Sequence, residues 1–259
     1  MPVDCINPKP GLTVASLTDI GRLRVNNEDS WLYWEPDAEE EFARKGRLAV
    51  IADGMGGYEG GQEASRMAVD TVRMVYQHDL GDDAQSALVT GLRSAHEAIQ
   101  RFAAQHPQFT GMGTTCTALS IVGPHLHFAH IGDSRLYLLR DGTISRLTRD
   151  HSYVGRLVET GLVRSEDAEL HPQRHILTAA LGSGPEVIPD IPERPIPLEA
   201  GDVLVLCTDG LWSVVGEGEI ARIALAEVPT EACAKLVKAA LDHGGPDNVT
   251  VVVLRVSAD

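Results

Sequence analysis

Four aspartates sit where a carboxylate could do chemistry. Asp53 ends the apolar run LAVIAD and Asp209 ends VLVLCTD, each followed by glycine; Asp133 lies in Gly132-Asp133-Ser134 between two apolar runs, and Asp247 lies in GGPDNVT directly before another. A side chain at the end of a buried strand projects from a rigid base, so several of them can be aimed at one point. If the runs ending at Asp209 and starting after Asp247 are antiparallel neighbours, these two carboxylates converge, and their repulsion needs a compensating cation. Arg24 adds a guanidinium four and five residues before Glu28 and Asp29. Each of these features has a plainer reading. Asp-Gly is a common turn dipeptide, the only role given to Asp141-Gly142, and the 24–29 stretch alone reads as a solvated charged turn. The stretch DGMGGYEGG has neither the P-loop pattern nor the G-x-G-x-x-G spacing, so its glycines suit a close backbone approach beside Asp53 better than a nucleotide.

The elements that must position these groups follow from periodicity. Leu88, Leu92, Ala95, Ile99 and Phe102 recur at spacings of three and four and predict a helix over 84–105; Ala64, Met67, Ala68, Val72 and Val75 predict another over 62–77. Further helices are expected over 153–160, 217–226 and 230–242, the last with Thr230 as N-cap. Short β-rich runs at 48–52, 116–122, 126–131, 135–139, 203–208 and 249–256 read as strands. The middle ones read as a meander, with Asp133 at a hairpin tip and Asp141-Gly142 in the next turn. Strands in runs, rather than in alternation with helices, predict an α+β domain with antiparallel sheets.

Composition narrows the function. The 259 residues are 43% apolar and 23% charged, as a globular domain requires, and 22 basic against 37 acidic side chains give a net charge of −15. Phosphate-backbone binding needs clustered cations, so no nucleic-acid partner is expected. Cys5, Cys116, Cys207 and Cys233 are scattered, with no CxxC pair, and read as reduced, unreactive thiols. The N-terminus lacks the pattern of a signal peptide, and the longest apolar runs are of strand length, so no membrane span and a cytoplasmic location are expected.

Eight blocks in order, GRLRVNNEDS, IADGMGG, GMGTTCTAL, IGDSRLYLLRDG, LTRDHSYV, LTAALG, LCTDGLW and GGPDNVTVVV, run over nearly the whole chain. Together they resemble the metal-dependent, type 2C-like serine/threonine protein phosphatases in their bacterial single-domain form. The resemblance implies a four-layer α-β-β-α sandwich, two antiparallel sheets flanked by helices, over residues 13–259, after an N-terminal extension at 1–12 and with a flap at about 150–175. It implies that Asp53 bridges two tightly bound Mn²⁺ or Mg²⁺ ions and that Gly54 offers its carbonyl to one. It gives Asp209 and Asp247 to the other ion, Glu28 and Asp29 to metal-bound water, Asp133 to a third, weaker ion, and Arg24 to the substrate phosphate.

Such ions take oxygen ligands, and two of them roughly 3.5–4 Å apart acidify a bridging water into a nucleophile for in-line attack on phosphoserine or phosphothreonine. Arg24, Asp29 and Asp53 are thus the expected catalytic residues, Arg24 as a bidentate phosphate donor. Met55 stands where the family's animal members often carry a histidine general acid, and a thioether donates no proton, although bacterial members commonly have DGMGG; Tyr58 stands where many relatives carry histidine. The expected partners are phosphorylated proteins and a eukaryotic-like bacterial kinase, met by a monomer; the acidic surface favours basic substrate flanks. Two other readings use the same residues: a hydrolase of small phosphate esters, and a phosphoprotein-binding module without turnover. His125 and His127 share a strand face with His130 nearby, a weak transition-metal pattern. Asp150-His151-Ser152 holds three triad residue types but, being adjacent, cannot take triad geometry. His151, His171 and His175 are candidates for touching substrate.

Overall fold

Leucine- and valine-rich runs pair into two sheets, entirely antiparallel. A computed structural model describes residues 3–6, 8–56, 60–164, 167 and 171–257, without the side chain of Cys5. One sheet is ordered β1 (Asp4–Ile6), β2 (Leu12–Asp19), β12 (Val249–Val256), β11 (Val203–Cys207), β8 (Arg135–Arg140) and β9 (Thr143–Arg146). The other is ordered β10 (Ile196–Pro197), β7 (His125–Ile131), β6 (Cys116–Val122), β4 (Arg47–Met55) and β3 (Asp29–Trp34), with β5 (Gly113–Thr114) added to β4. The stretch expected as an N-terminal extension therefore supplies an edge strand, β1.

Strands buried on both faces read as unbroken apolar runs. Leu204, Leu206, Val252 and Leu254 meet Ile51, Leu119 and Leu126 between the sheets. The alternate residues Val203, Val205, Val251 and Val253 face outward under Ile220 and Ala224 of α6 (Glu217–Ala226) and Leu236 and Ala240 of α7 (Pro229–Asp242). On the far side Leu48, Val50 and Ala118 pack under α2 (Gly60–His78) and α3 (Ala84–Gln105) through Ala68, Val72, Leu88 and Leu92. The result is the expected α-β-β-α sandwich. Shorter helices are α1 (Glu39–Lys45), α4 (Tyr153–Glu159) and α5 (Asp209–Trp212). The Asp83 side chain caps α3 by accepting from the Gln85 N–H at 3.0 Å.

Two local expectations need correction. Thr230 is not the N-cap of α7: Pro229 takes the first helical turn behind Val228, where its fixed φ fits and its missing N–H costs nothing. Asp133 is not at a hairpin tip, because β7 and β8 lie in different sheets and the Gly132-Asp133-Ser134 link crosses between them. Gly132 makes the crossing possible, with φ +106° and a Cβ position 2.5 Å from the Thr115 side chain. Periodicity could not show this, since both strands are buried on both faces. The Asp141-Gly142 turn does join β8 to β9, with both φ values positive as a type I′ hairpin demands.

Cys116, Cys207 and Cys233 are buried free thiols, and burial pushes each up to about 12. No helix among the described residues is long and apolar enough to cross a membrane.

Candidate active site

The sheet register sets two carboxylates face to face: Asp29 opens β3 directly opposite Asp53 near the end of β4. Like charges so placed destabilise a strand pair. The Asp53 backbone is held firmly, its N–H donating to Thr115 Oγ1 (2.9 Å) and its carbonyl accepting from the Thr115 N–H (2.9 Å) and the Thr114 hydroxyl (2.8 Å). Its carboxylate makes no hydrogen bond to a described residue. Asp29 Oδ2 accepts from the hydroxyls of Thr208 (2.9 Å) and Thr250 (2.7 Å), while Oδ1 is buried with no partner.

Antiparallel pairing of β11 with β12 brings the second pair of segments to the same rim. Asp209 is the first residue of α5, and Gly210 lies so close to Asn248 that a Cβ would stand 1.9 Å from its carbonyl oxygen. Asp209 Oδ1 is buried and unpartnered; Oδ2 lies 3.6 Å from His175 Nδ1. Asp247 takes the Arg24 guanidinium at 2.6 Å and caps the Asn248 N–H at 2.8 Å. Glu28 packs beside Gly61, where a Cβ would meet its carboxylate at 2.6 Å, and its carbonyl accepts from the Gly54 N–H at 3.1 Å. Gly54 has no room for a side chain either, since a Cβ would sit 2.1 Å from the Gly61 carbonyl oxygen.

The electrostatics are one-sided. Burial, reinforced by Asp29, Asp209, Asp133 and Asp247, holds the Asp53 carboxyl well above the usual carboxylate range. Burial also pushes Asp29 up to about 7, with Asp209 and Asp247 adding to the rise and the two threonine hydroxyls opposing it. Asp133 is raised by burial and then by Asp209 and Asp150, with Arg135 pulling the other way. Glu28 is raised chiefly by burial.

These features fit a cation from outside the chain. Two buried carboxylate oxygens lack partners, burial and neighbouring carboxylates raise Asp29, Asp53 and Asp133, and the groups gathered here are chiefly oxygens, as Mg²⁺ or Mn²⁺ prefers. Among the described residues no three acidic, imidazole or thiol groups converge tightly enough to enclose one ion unaided.

The protein phosphatase 2C family matches residues 25–227. The chain belongs to that family. It is 38% identical over 245 residues to the serine/threonine protein phosphatase PstP of Mycobacterium tuberculosis, covering 95% of this chain and 45% of PstP. This chain thus spans less than half the length of that relative. It is 34% identical to the protein phosphatase PhpP of Streptococcus pneumoniae, covering 96% of this chain and 99% of PhpP. A crystal structure of the PstP catalytic domain in complex with two manganese ions superimposes with a TM-score of 0.82 at 36% identity, covering 95% of this chain and 99% of that one.

In this phosphatase 2C fold, Arg24, Glu28, Asp29, Asp53, Gly54, Asp133, Asp209 and Asp247 all lie on or next to one rim of the sandwich. Arg24 is paired with Asp247 rather than standing free. Sequence reasoning missed Asn248, whose Oδ1 accepts from the Glu28 N–H (2.8 Å) and whose Nδ2 donates to the carbonyls of Ile20 and Asn26 (2.9 Å each). It ties the Arg24 loop to Asp247, and its place beside Asp247 in PDNVT was the available signal. The threonines at 114, 115, 208 and 250 were also missed, since nothing local marks a hydroxyl that reaches a distant strand.

Of the histidines, His130 is saturated, with Thr117 Oγ1 at 2.8 Å and the carbonyls of Gly132 (3.1 Å) and Arg149 (3.0 Å), and is no ligand for a metal with His125 and His127. His151 accepts from the Gly132 N–H at 3.2 Å and so steadies the turn before Asp133. Ser152 is the N-cap of α4, which disposes of any triad. Tyr58 lies outside the described residues, as do 165, 166 and 168–170 of the expected flap.

Proposed function

We propose that this chain is a metal-dependent protein serine/threonine phosphatase. The observation that carries the reading is a rim holding Asp29, Asp53, Asp133 and Asp209, raised or left with unpartnered oxygens, where the charges acting most strongly on Asp53 are all carboxylates. Its kinship with PstP and PhpP supports the same conclusion. Asp53 and the Gly54 carbonyl would hold one divalent ion, Asp53, Asp209 and Asp247 a second, and Asp133 a weaker third, with Glu28 and Asp29 orienting coordinated solvent. When bound, such ions supply Lewis-acid charge at the phosphate and acidify water.

The chain's own residues do the rest. Arg24, about half exposed and held to Asp247 by one hydrogen bond, can turn a two-pronged donor face to a phosphate. Thr208 and Thr250 fix the Asp29 carboxylate through one oxygen and leave the other without a partner. Thr114 and Thr115 prevent Asp53 from retreating. Hydrolysis breaks the bond from phosphorus to the serine or threonine oxygen and forms one to a water oxygen, and Met55 brings no proton to the leaving group.

In this reading residues 13–259 together with edge strand β1 form the catalytic domain, with the described part of the 150–175 segment as a flap beside the rim. Its substrates are phosphorylated proteins, among them those of a eukaryotic-like bacterial kinase. Three buried, unpaired thiols suit a reducing cytoplasm. The test is phosphate release from a phosphothreonine peptide with Mn²⁺, Mg²⁺ or EDTA, for wild type and Asp53→Ala. Turnover that requires both metal and Asp53 is expected. A folded wild type inactive on peptides but active on small phosphate esters would replace protein with metabolite as the substrate.

A further inference from the structure

Beside the rim, and separate from it, a cavity of about 360 Å³ opens between α4 and Trp212. Four arginines line it, at 135, 146, 149 and 174, against the three carboxylates Asp150, Glu159 and Glu217. An excess of guanidinium is notable in a chain of net charge −15. The arginines are not equivalent. Arg135 is spent on structure: it lies 3.7 Å over the Trp212 ring and grips both oxygens of Asp150 at 3.1 and 2.7 Å. Arg149 is held by Asp190 at 2.8 Å. Among the described residues Arg146 has only a 3.3 Å contact to Asp150. Arg174 makes no ion pair with a described residue, and its buried Nε has no hydrogen-bond partner.

The cavity adjoins the reaction centre by two routes. Helix α5 carries Asp209 at its first residue and Trp212 at its last, roughly 4.5 Å apart along the axis. The Trp212 indole N–H donates to the Asp133 carbonyl at 2.9 Å. At residues 174 and 175 the chain presents Arg174 to the cavity and His175 to Asp209.

Resting on the phosphatase reading above, we propose that this cavity is a subsite for a second anionic side chain of the substrate, a carboxylate or phosphate about two to four residues from the phosphoresidue being hydrolysed. An aliphatic side chain would leave the Arg174 guanidinium without a countercharge in a partly apolar pocket, whereas an oxyanion gives it a charge-assisted bond. The acidic surface as a whole favours basic flanks; this cavity reverses that preference locally.

The experiment measures kcat/KM of the Mn²⁺-loaded chain on phosphothreonine peptides that carry Gln, Glu or a non-hydrolysable phosphonate at each position two to four residues away. p-Nitrophenyl phosphate, too small to reach the cavity, serves as a separate substrate for the central site. In wild type, Glu or phosphonate at one position should raise kcat/KM about tenfold over Gln, mainly through KM. The larger gain of the two identifies the natural group. The ratio should fall towards one in Arg174→Gln and drop partway in Arg146→Gln. Equal rates for all peptides, or a ratio unchanged in Arg174→Gln, with p-nitrophenyl phosphate still hydrolysed, would overturn the subsite alone. No turnover of any substrate would overturn the phosphatase reading and the subsite with it.

Discussion

Around Arg135 and around Asp53 the molecule buries charge in two opposite ways. Arg135 is 3% exposed and answered on every side: by Asp150 through two bonds, by the Tyr137 hydroxyl at 3.1 Å and by the Trp212 ring face. Around Asp53 the neighbours that act on it are Asp29, Asp209, Asp133 and Asp247, all of its own sign. Burial is similar, and the residue types overlap, since Asp150 and Asp133 are both aspartates near the same helix. What differs is the sign of the surroundings. A buried charge with its countercharge completes the fold; a buried group of like charges is complete only with a ligand.

The largest effect that could break this contrast is loss of activity. Asp53→Ala should lower Mn²⁺-dependent phosphate release by well over the roughly 10–100-fold typical of losing an outer orienting group. Thermal melting in EDTA should not fall, because one of several repelling charges has gone, and Mn²⁺ should no longer raise the melting temperature as it does in wild type. Metal-dependent turnover at the wild-type level would return Asp53 to the class of structural residues.

Arg135→Met should do the reverse. It strands Asp150 without its main partner, and urea unfolding should show a loss of about 3–5 kcal/mol with metal present or absent. A loss under about 1 kcal/mol would put the pair with exposed, weak ones and erase the distinction.

A smaller effect appears in pH dependence. An unfolded aspartate releases its proton near 3.9, whereas folded, metal-free Asp29 keeps it to about 7. Its contribution to stability is therefore present below the unfolded value and is lost as pH rises through about 7. In EDTA, the melting temperature of Asp29→Asn relative to wild type should move in the variant's favour between pH 4 and 8. With Mn²⁺ the ionised carboxylate is the favoured form and the trend should reverse. Parallel pH curves in EDTA would mean that Asp29 ionises freely in the fold.

The smallest change in stability belongs to Arg24→Ala, since the exposed Arg24–Asp247 pair contributes within about 1 kcal/mol. Its mark should be kinetic: KM rises up to about tenfold with the metal requirement intact. An altered metal requirement at unchanged KM would make Arg24 a keeper of Asp247 instead of a phosphate donor.

The carboxylates were legible in the sequence because each ends or opens an apolar run, and sheets place such ends on a rim. Helices α3 and α6 were legible to the residue, since one-sided apolar spacing leaves little choice. Strands β2 and β3 were not, although β3 carries Asp29: its residues are only partly buried, so DSWLYW shows no clean alternation. The crossing at Gly132 was hidden because doubly buried strands look alike whichever sheet they join. The partners of Asp29 were hidden for another reason. Thr208 and Thr250 reach it from 179 and 221 residues away, and no local pattern encodes such a contact.

The order of strands also bears on how the molecule comes into being. β12 lies between β2 and β11, pairing residues 12–19 with residues 249–256, and Asp247 and Asn248 directly precede it. At roughly 5–20 residues per second, a ribosome completes β12 on the order of ten to fifty seconds after β2. Throughout that interval the first sheet lacks an inner strand, and the Arg24 loop lacks the asparagine that anchors it. So many distant pairings place the chain among slow, high-contact-order folders. A nascent chain can hold Asp29, Asp53, Asp133 and Asp209 and still lack a finished rim, which closes only when translation has passed β12.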